Sequence, residues 1–95
     1  MQQIAIIGLG RYGFRLASLL AQAGVDVIAI DDNKELINNI SDNVSLAVCL
    51  DSTDEKALLS QGIDKVDIAM VGIGVDFEAA AVSYTHLTLP TIYSV

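Results

Sequence analysis

The residues best suited to chemistry in this chain are three glycines and a carboxylate. Gly8, Gly10 and Gly13 lie in Ile4-Ala5-Ile6-Ile7-Gly8-Leu9-Gly10-Arg11-Tyr12-Gly13. Asp31 follows at roughly the 20-residue spacing at which an acid can meet a ligand held by such a turn. Gly8 permits a tight turn, and a Cβ at Gly10 would hold a pyrophosphate away from the backbone. Gly13 lets the next helix lie close on the strand. The helix start then offers N–H groups and a positive dipole end to phosphates. A carboxylate at Asp31 can accept both hydroxyls of a ribose, each charge-assisted bond contributing about 1.5–3 kcal/mol. It would repel a 2′-phosphate, which disfavours NADP. The chemistry is nucleotide binding. The alternative is a turn of the same shape with a purely structural role.

Other residues gather around this pair. Arg11 and Tyr12 lie inside the glycine turn. The Arg11 guanidinium could donate two bonds to a phosphate, or be a solvated arginine on the first helical turn. Asp32 follows Asp31 and suits a helix cap, which leaves Asp31 as the better ribose acceptor. Asp51 and Ser52 end a third apolar run and would stand near the adenine end of a nucleotide, or serve only to cap a helix. Gly72, Ile73 and Gly74 end a fourth run, across the crevice.

Catalytic machinery is not legible. There is no Cys/His pair, metal-ligand cluster or serine elbow. The single histidine, His86, falls in an anomalous tail, and Asp54 and Glu55 read as first-turn helix acids. Cys49, the only cysteine, excludes an internal disulfide and reads as a small buried residue in Val48-Cys49-Leu50. No catalytic residue and no metal ligand is assigned.

The elements that must position these groups follow from the pattern. Apolar runs predict strands over about Gln3–Ile7, Asp26–Ile30, Val44–Leu50 and Asp67–Gly72. Helical spacing predicts helices over Arg11–Ala23, after Asp32 or Asn33, and from a Ser52-x-x-Glu55 capping box to Ser60 or Gln61. A further helix is expected after Asp76. The result is an α/β, Rossmann-like, doubly wound parallel sheet, truncated to βαβαβαβ, with strand order 3-2-1-4. The nucleotide would lie at the switch point between strands one and four, over the glycine turn. With 95 residues the chain suffices for one small domain. A net charge of −7, with five scattered basic residues, argues against nucleic acid or an anionic membrane surface as a direct partner. Neither a membrane-crossing stretch nor the basic start of a signal peptide is present, which predicts a cytoplasmic location.

The ordered segments Ile-Ile-Gly-Leu-Gly-Arg-Tyr-Gly, Val-Ile-Ala-Ile-Asp-Asp, Leu-Asp-Ser-Thr-Asp, Leu-Leu-Ser-Gln-Gly-Ile and Met-Val-Gly-Ile-Gly resemble the RCK (KTN, TrkA-N) domain, found in the regulatory subunits of Trk and Ktr potassium-uptake systems. The likeness runs from about Gln3 to Ala80 and is nearest the Ktr type. It implies a regulatory subunit, not an enzyme, that assembles as dimers and then a ring. The ring docks on a membrane potassium translocator from the inner face of the membrane, and bound nucleotide gates ion flux. The nucleotide would be ATP or ADP in Ktr-like proteins and NAD or NADH in Trk-like ones. By motif, Gly8, Gly10 and Gly13 take the phosphate-loop role, Asp31 the ribose role, Asp51 and Ser52 the adenine side, and Arg11 the terminal phosphate. The rival is the cofactor half of an NAD-dependent dehydrogenase. A domain fused to a channel or antiporter is a third reading, and the start at Met1 favours a free subunit.

Residues 1–80 are thus expected to be the N-terminal part of the nucleotide-binding domain, and residues 81–95 a non-native tail. Val82-Ser83-Tyr84-Thr85-His86-Leu87-Thr88-Leu89-Pro90-Thr91 breaks the likeness abruptly and holds the only histidine and proline. It reads back as GTC TCT TAT ACA CAT CTG ACG CTG CCG ACG, which resembles a transposase mosaic-end sequencing adapter. Thr91–Val95 nevertheless has strand character and could lie beside strand four. Without such cover, strand four's apolar edge predicts a marginally stable or insoluble chain.

Overall fold

The computed structural model describes residues 2–51, 54–71 and the backbone of 92–94. Its elements are β1 (Gln3–Ile7), α1 (Arg11–Gln22), β2 (Asp26–Asp31), α2 (Lys34–Ile40), β3 (Leu46–Cys49), α3 (Glu55–Ser60), a short 3-10 turn (Ile63–Lys65), β4 (Ile68–Val71) and β5 (Ile92–Ser94). All strands pair in parallel, in the order β3-β2-β1-β4-β5. The expected 3-2-1-4 order holds, and β5 lies on the outer side of β4.

Strand alternation divides the core in two. Ile4, Ile6, Val27 and Ala29 face α1 and α2, where Leu9, Ala17, Ile37 and Ile40 are buried against them. Ala5, Ile7, Ile28, Ile30, Ala69 and Val71 face the other way, onto Leu58, Ile63 and Val66. Because both faces of β1 and β2 are covered, their sequences read as continuous apolar runs. Helices on both sides make the sheet doubly wound.

Some expectations are corrected. Helix α3 does not start from the Ser52 capping box. Asp54 is its N-cap, its Oδ1 accepting the Ala57 N–H at 3.2 Å. Asp caps as well as Ser, and Asp54 is further fixed by its own N–H, which donates to the Asp51 carbonyl at 3.0 Å. Cys49 is exposed, not buried, because it ends an edge strand. β3 is shorter than its apolar run, since its partners on β2 extend only from Ile28 to Asp31. The expected helix after Asp76, the Gly72-Ile73-Gly74 loop and Ser52 lie outside the described residues.

Candidate functional site

The site forms where β1 and β2 end side by side. Ile7 and Ile30 are register partners, and the ladder continues as Gly8 N–H donates to the Ile30 carbonyl at 2.8 Å. Gly8 then turns the chain with φ 91°, the left-handed region that glycine adopts at least cost. Leu9 buries its side chain in the α1–α2 face. Its N–H is thereby aimed at β2, where it donates to Asp31 Oδ2 at 2.6 Å. The other carboxylate oxygen, Oδ1, accepts the Asn33 N–H at 2.8 Å.

Gly13 and Gly10 differ in what surrounds them. A Cβ on Gly13 would collide with the Gly8 carbonyl, so glycine is required for α1 to pack on the turn. Among the described residues, a Cβ on Gly10 would meet nothing within 4 Å, and no atom of another element stands against a side chain in place of that glycine. The space it leaves lies at the N-terminus of α1, where no acid stands in the first turn and the Phe14 N–H is the first to bond four residues back, to the Gly10 carbonyl at 3.0 Å. The amides of Arg11, Tyr12 and Gly13 precede it, and a helix start of this kind attracts anions. A helix start of this kind can hold a phosphate group. Tyr12 is 66% exposed beside it. Arg11 begins α1, and its side chain lies outside the described residues.

The third strand brings its end to the same place. Cys49 pairs in register with Asp31, the Leu50 N–H donates to the Asp31 carbonyl at 3.0 Å, and the Cys49 thiol donates to the Asp32 carbonyl at 3.4 Å. Asp51 follows directly and is exposed on this rim. The structure thus brings Gly8, Gly10, Tyr12, Gly13, Asp31 and Asp51 to the C-terminal end of the sheet, the end at which open α/β folds bind ligands. The sequence marks Asn33 only as a helix cap, yet its N–H contacts Asp31 directly. The Asp31-x-Asn33 spacing is the signal that could have pointed to it. Among the described residues, no group of three or more His, Cys, Asp or Glu is placed to hold a metal ion, and no helix is long and apolar enough to cross a membrane.

A family model described as the TrkA-N domain matches residues 4–93, nearly the whole chain. The chain belongs to the TrkA-N family. Among its relatives, Ktr system potassium uptake protein A of Bacillus subtilis is 34% identical over 95 residues, which cover 97% of the chain and 43% of that protein. Ktr system potassium uptake protein C of the same organism is 37% identical over 79 residues, 83% of the chain and 36% of the relative. A Trk system potassium uptake protein TrkA homolog of Pyrococcus abyssi is 40% identical over 65 residues, 67% of the chain and 29% of the relative. The TrkA-N chain therefore spans less than half the length of these relatives.

Proposed function

We propose that this TrkA-N chain is the nucleotide-binding part, residues 1–80, of a cytoplasmic regulatory subunit of a potassium-uptake transporter. The observation that carries the reading is the space left at Gly10 among the described residues, at a helix start with no side-chain cap, beside a carboxylate fixed on the neighbouring strand. The α1 amides, with Arg11, would hold the phosphates. Asp31 has four acceptor positions on its two oxygens, and two backbone amides use only part of that capacity. The remainder would take the ribose hydroxyls, and the charge would repel the 2′-phosphate of NADP. Asp51 and Ser52 would border the adenine. The ligand is an adenine nucleotide: ATP or ADP in the manner of the Ktr-type relatives, or NAD or NADH in that of the Trk type.

Binding, not turnover, is the role proposed. Ring assembly from dimers and docking on a membrane potassium translocator are part of the same reading, supported by the potassium-uptake names of the relatives. The test is potassium uptake by cells that carry the translocator and depend on this subunit. Wild-type protein should restore nucleotide-dependent uptake, and Gly10→Val should not. Unaltered uptake with Gly10→Val, or steady oxidation of NADH by the protein with a small-molecule substrate, would overturn the proposal.

A further inference from the structure

We propose that Asn33 is a positioning residue for nucleotide binding and acts through Asp31. The inference rests on the reading of Asp31 as the ribose acceptor. Three contacts run in series. Asn33 Oδ1 accepts the N–H groups of Glu35 at 2.9 Å and Leu36 at 3.3 Å, which ties residue 33 to the first turn of α2. The Asn33 N–H donates to Asp31 Oδ1 at 2.8 Å. The Leu9 N–H donates to Asp31 Oδ2 at 2.6 Å.

The carboxylate is thus gripped at both oxygens, from the glycine turn on one side and the α2 cap on the other. Two grips fix its rotation, and a single grip leaves it free to turn. A diol accepted by both oxygens needs that rotation fixed, because a bidentate contact is lost when the carboxylate plane swings. Asn33 itself is exposed and need not touch the ligand. The anchor of the series is the core, since α2 is held by Ile37 and Ile40 buried on the sheet. Losing the Asn33 side chain frees the α2 start and lets the residue-33 amide drift from Asp31.

The test is calorimetric titration of ADP, the moiety common to ATP and NADH, and of 2′,3′-dideoxy-ADP. The proteins are wild type, Asn33→Ala, Asn33→Ser, Asn33→Asp, Asp31→Ala and the Asp31→Ala/Asn33→Ala double variant. Loss of one net hydrogen bond corresponds to about three- to tenfold in affinity. Asn33→Ala should lose that for ADP and nothing for the dideoxy analogue. Ser and Asp, which keep a capping acceptor, should restore ADP binding, and the double variant should bind no worse than Asp31→Ala. Asn33→Gly, which a helix N-cap tolerates, should show the same loss should Asn33→Ala fail to fold. Parallel losses for both ligands, or additive losses in the double variant, would overturn the inference. A wild type that does not distinguish ADP from its dideoxy analogue would overturn the Asp31 reading and this inference with it. A wild type that does, beside an Asn33→Ala that distinguishes them equally, would overturn this inference alone.

Discussion

Leu9 donates its backbone N–H to the Asp31 carboxylate across 2.6 Å, so the glycine turn and the end of β2 are one mechanical unit. The contact spans 22 positions in the sequence and joins neighbouring parallel strands where their ladder stops. Asp31 is therefore a structural residue as well as a proposed ligand acceptor.

The first consequence is a stability cost. Asp31→Ala removes an ionised acceptor from two backbone amides, and hydrogen bonds to charged groups contribute about 1.5–3 kcal/mol each. Thermal unfolding should show Tm lowered by several degrees, and Asp31→Asn, which keeps one acceptor oxygen, should lose less. An unchanged Tm in Asp31→Ala would show that neither amide depends on the carboxylate.

Gly10 and Gly13 should separate binding from folding. Gly13→Ala forces a Cβ into the Gly8 carbonyl, a backbone atom that cannot step aside, and overpacking of this kind costs about 1–3 kcal/mol. Gly10→Ala meets no atom among the described residues and should change stability by no more than about 0.5 kcal/mol. Urea denaturation of the two variants measures the difference. Equal destabilisation would contradict the packing described.

Acid sensitivity should trace in part to the opposite end of the sheet. Hydrogen bonds from Ser45 and from Gln3 Nε2 (at 3.1 Å) hold the Asp26 carboxyl below its ordinary value, burial opposing them weakly. A carboxyl whose pKa is lower when folded contributes stability that is complete above its unfolded pKa, about 4, and is lost as pH falls through the folded value. Asp26→Asn should therefore lower stability at neutral pH and flatten the decline below about pH 4. Parallel wild-type and variant curves across that range would rule the effect out.

The segment from Ala81 onward carries a prediction about DNA. We propose that residues 82–91 are translated adapter, on the codon reading given above, with Ile92-Tyr93-Ser94 falling in its variable barcode. Those last three residues nonetheless lie parallel to β4, pairing Ala69 with Ile92, because short β-prone stretches add readily to an open strand edge. Amplification of the locus from source DNA should read different codons after Ala81. The same codons in the genome would refute the adapter origin.

The strands and their order were legible because β1, β2 and β4 are buried on one or both faces and carry unbroken apolar runs. The turn at Gly8 and the close packing at Gly13 were legible because both depend on residue type alone. Helix starts were less so: Asp32 or Asn33, and Ser52 or Asp54, are comparable capping residues, and only tertiary contacts choose between them. The exposure of Cys49 depends on β3 being an edge, a property of the sheet and not of the run Val48-Cys49-Leu50. The grip of Leu9 on Asp31 left no local sequence signal, since any residue but proline supplies a backbone N–H.

The most direct test of the account is titration of ADP into wild type, Gly10→Val and Asp31→Ala by calorimetry, with Tm recorded for each. Wild type should bind, Asp31→Ala should bind about ten- to a hundredfold more weakly, and Gly10→Val should melt like wild type and bind nothing. A folded Gly10→Val protein that binds ADP with wild-type affinity would contradict the assignment of the glycine turn as the phosphate site.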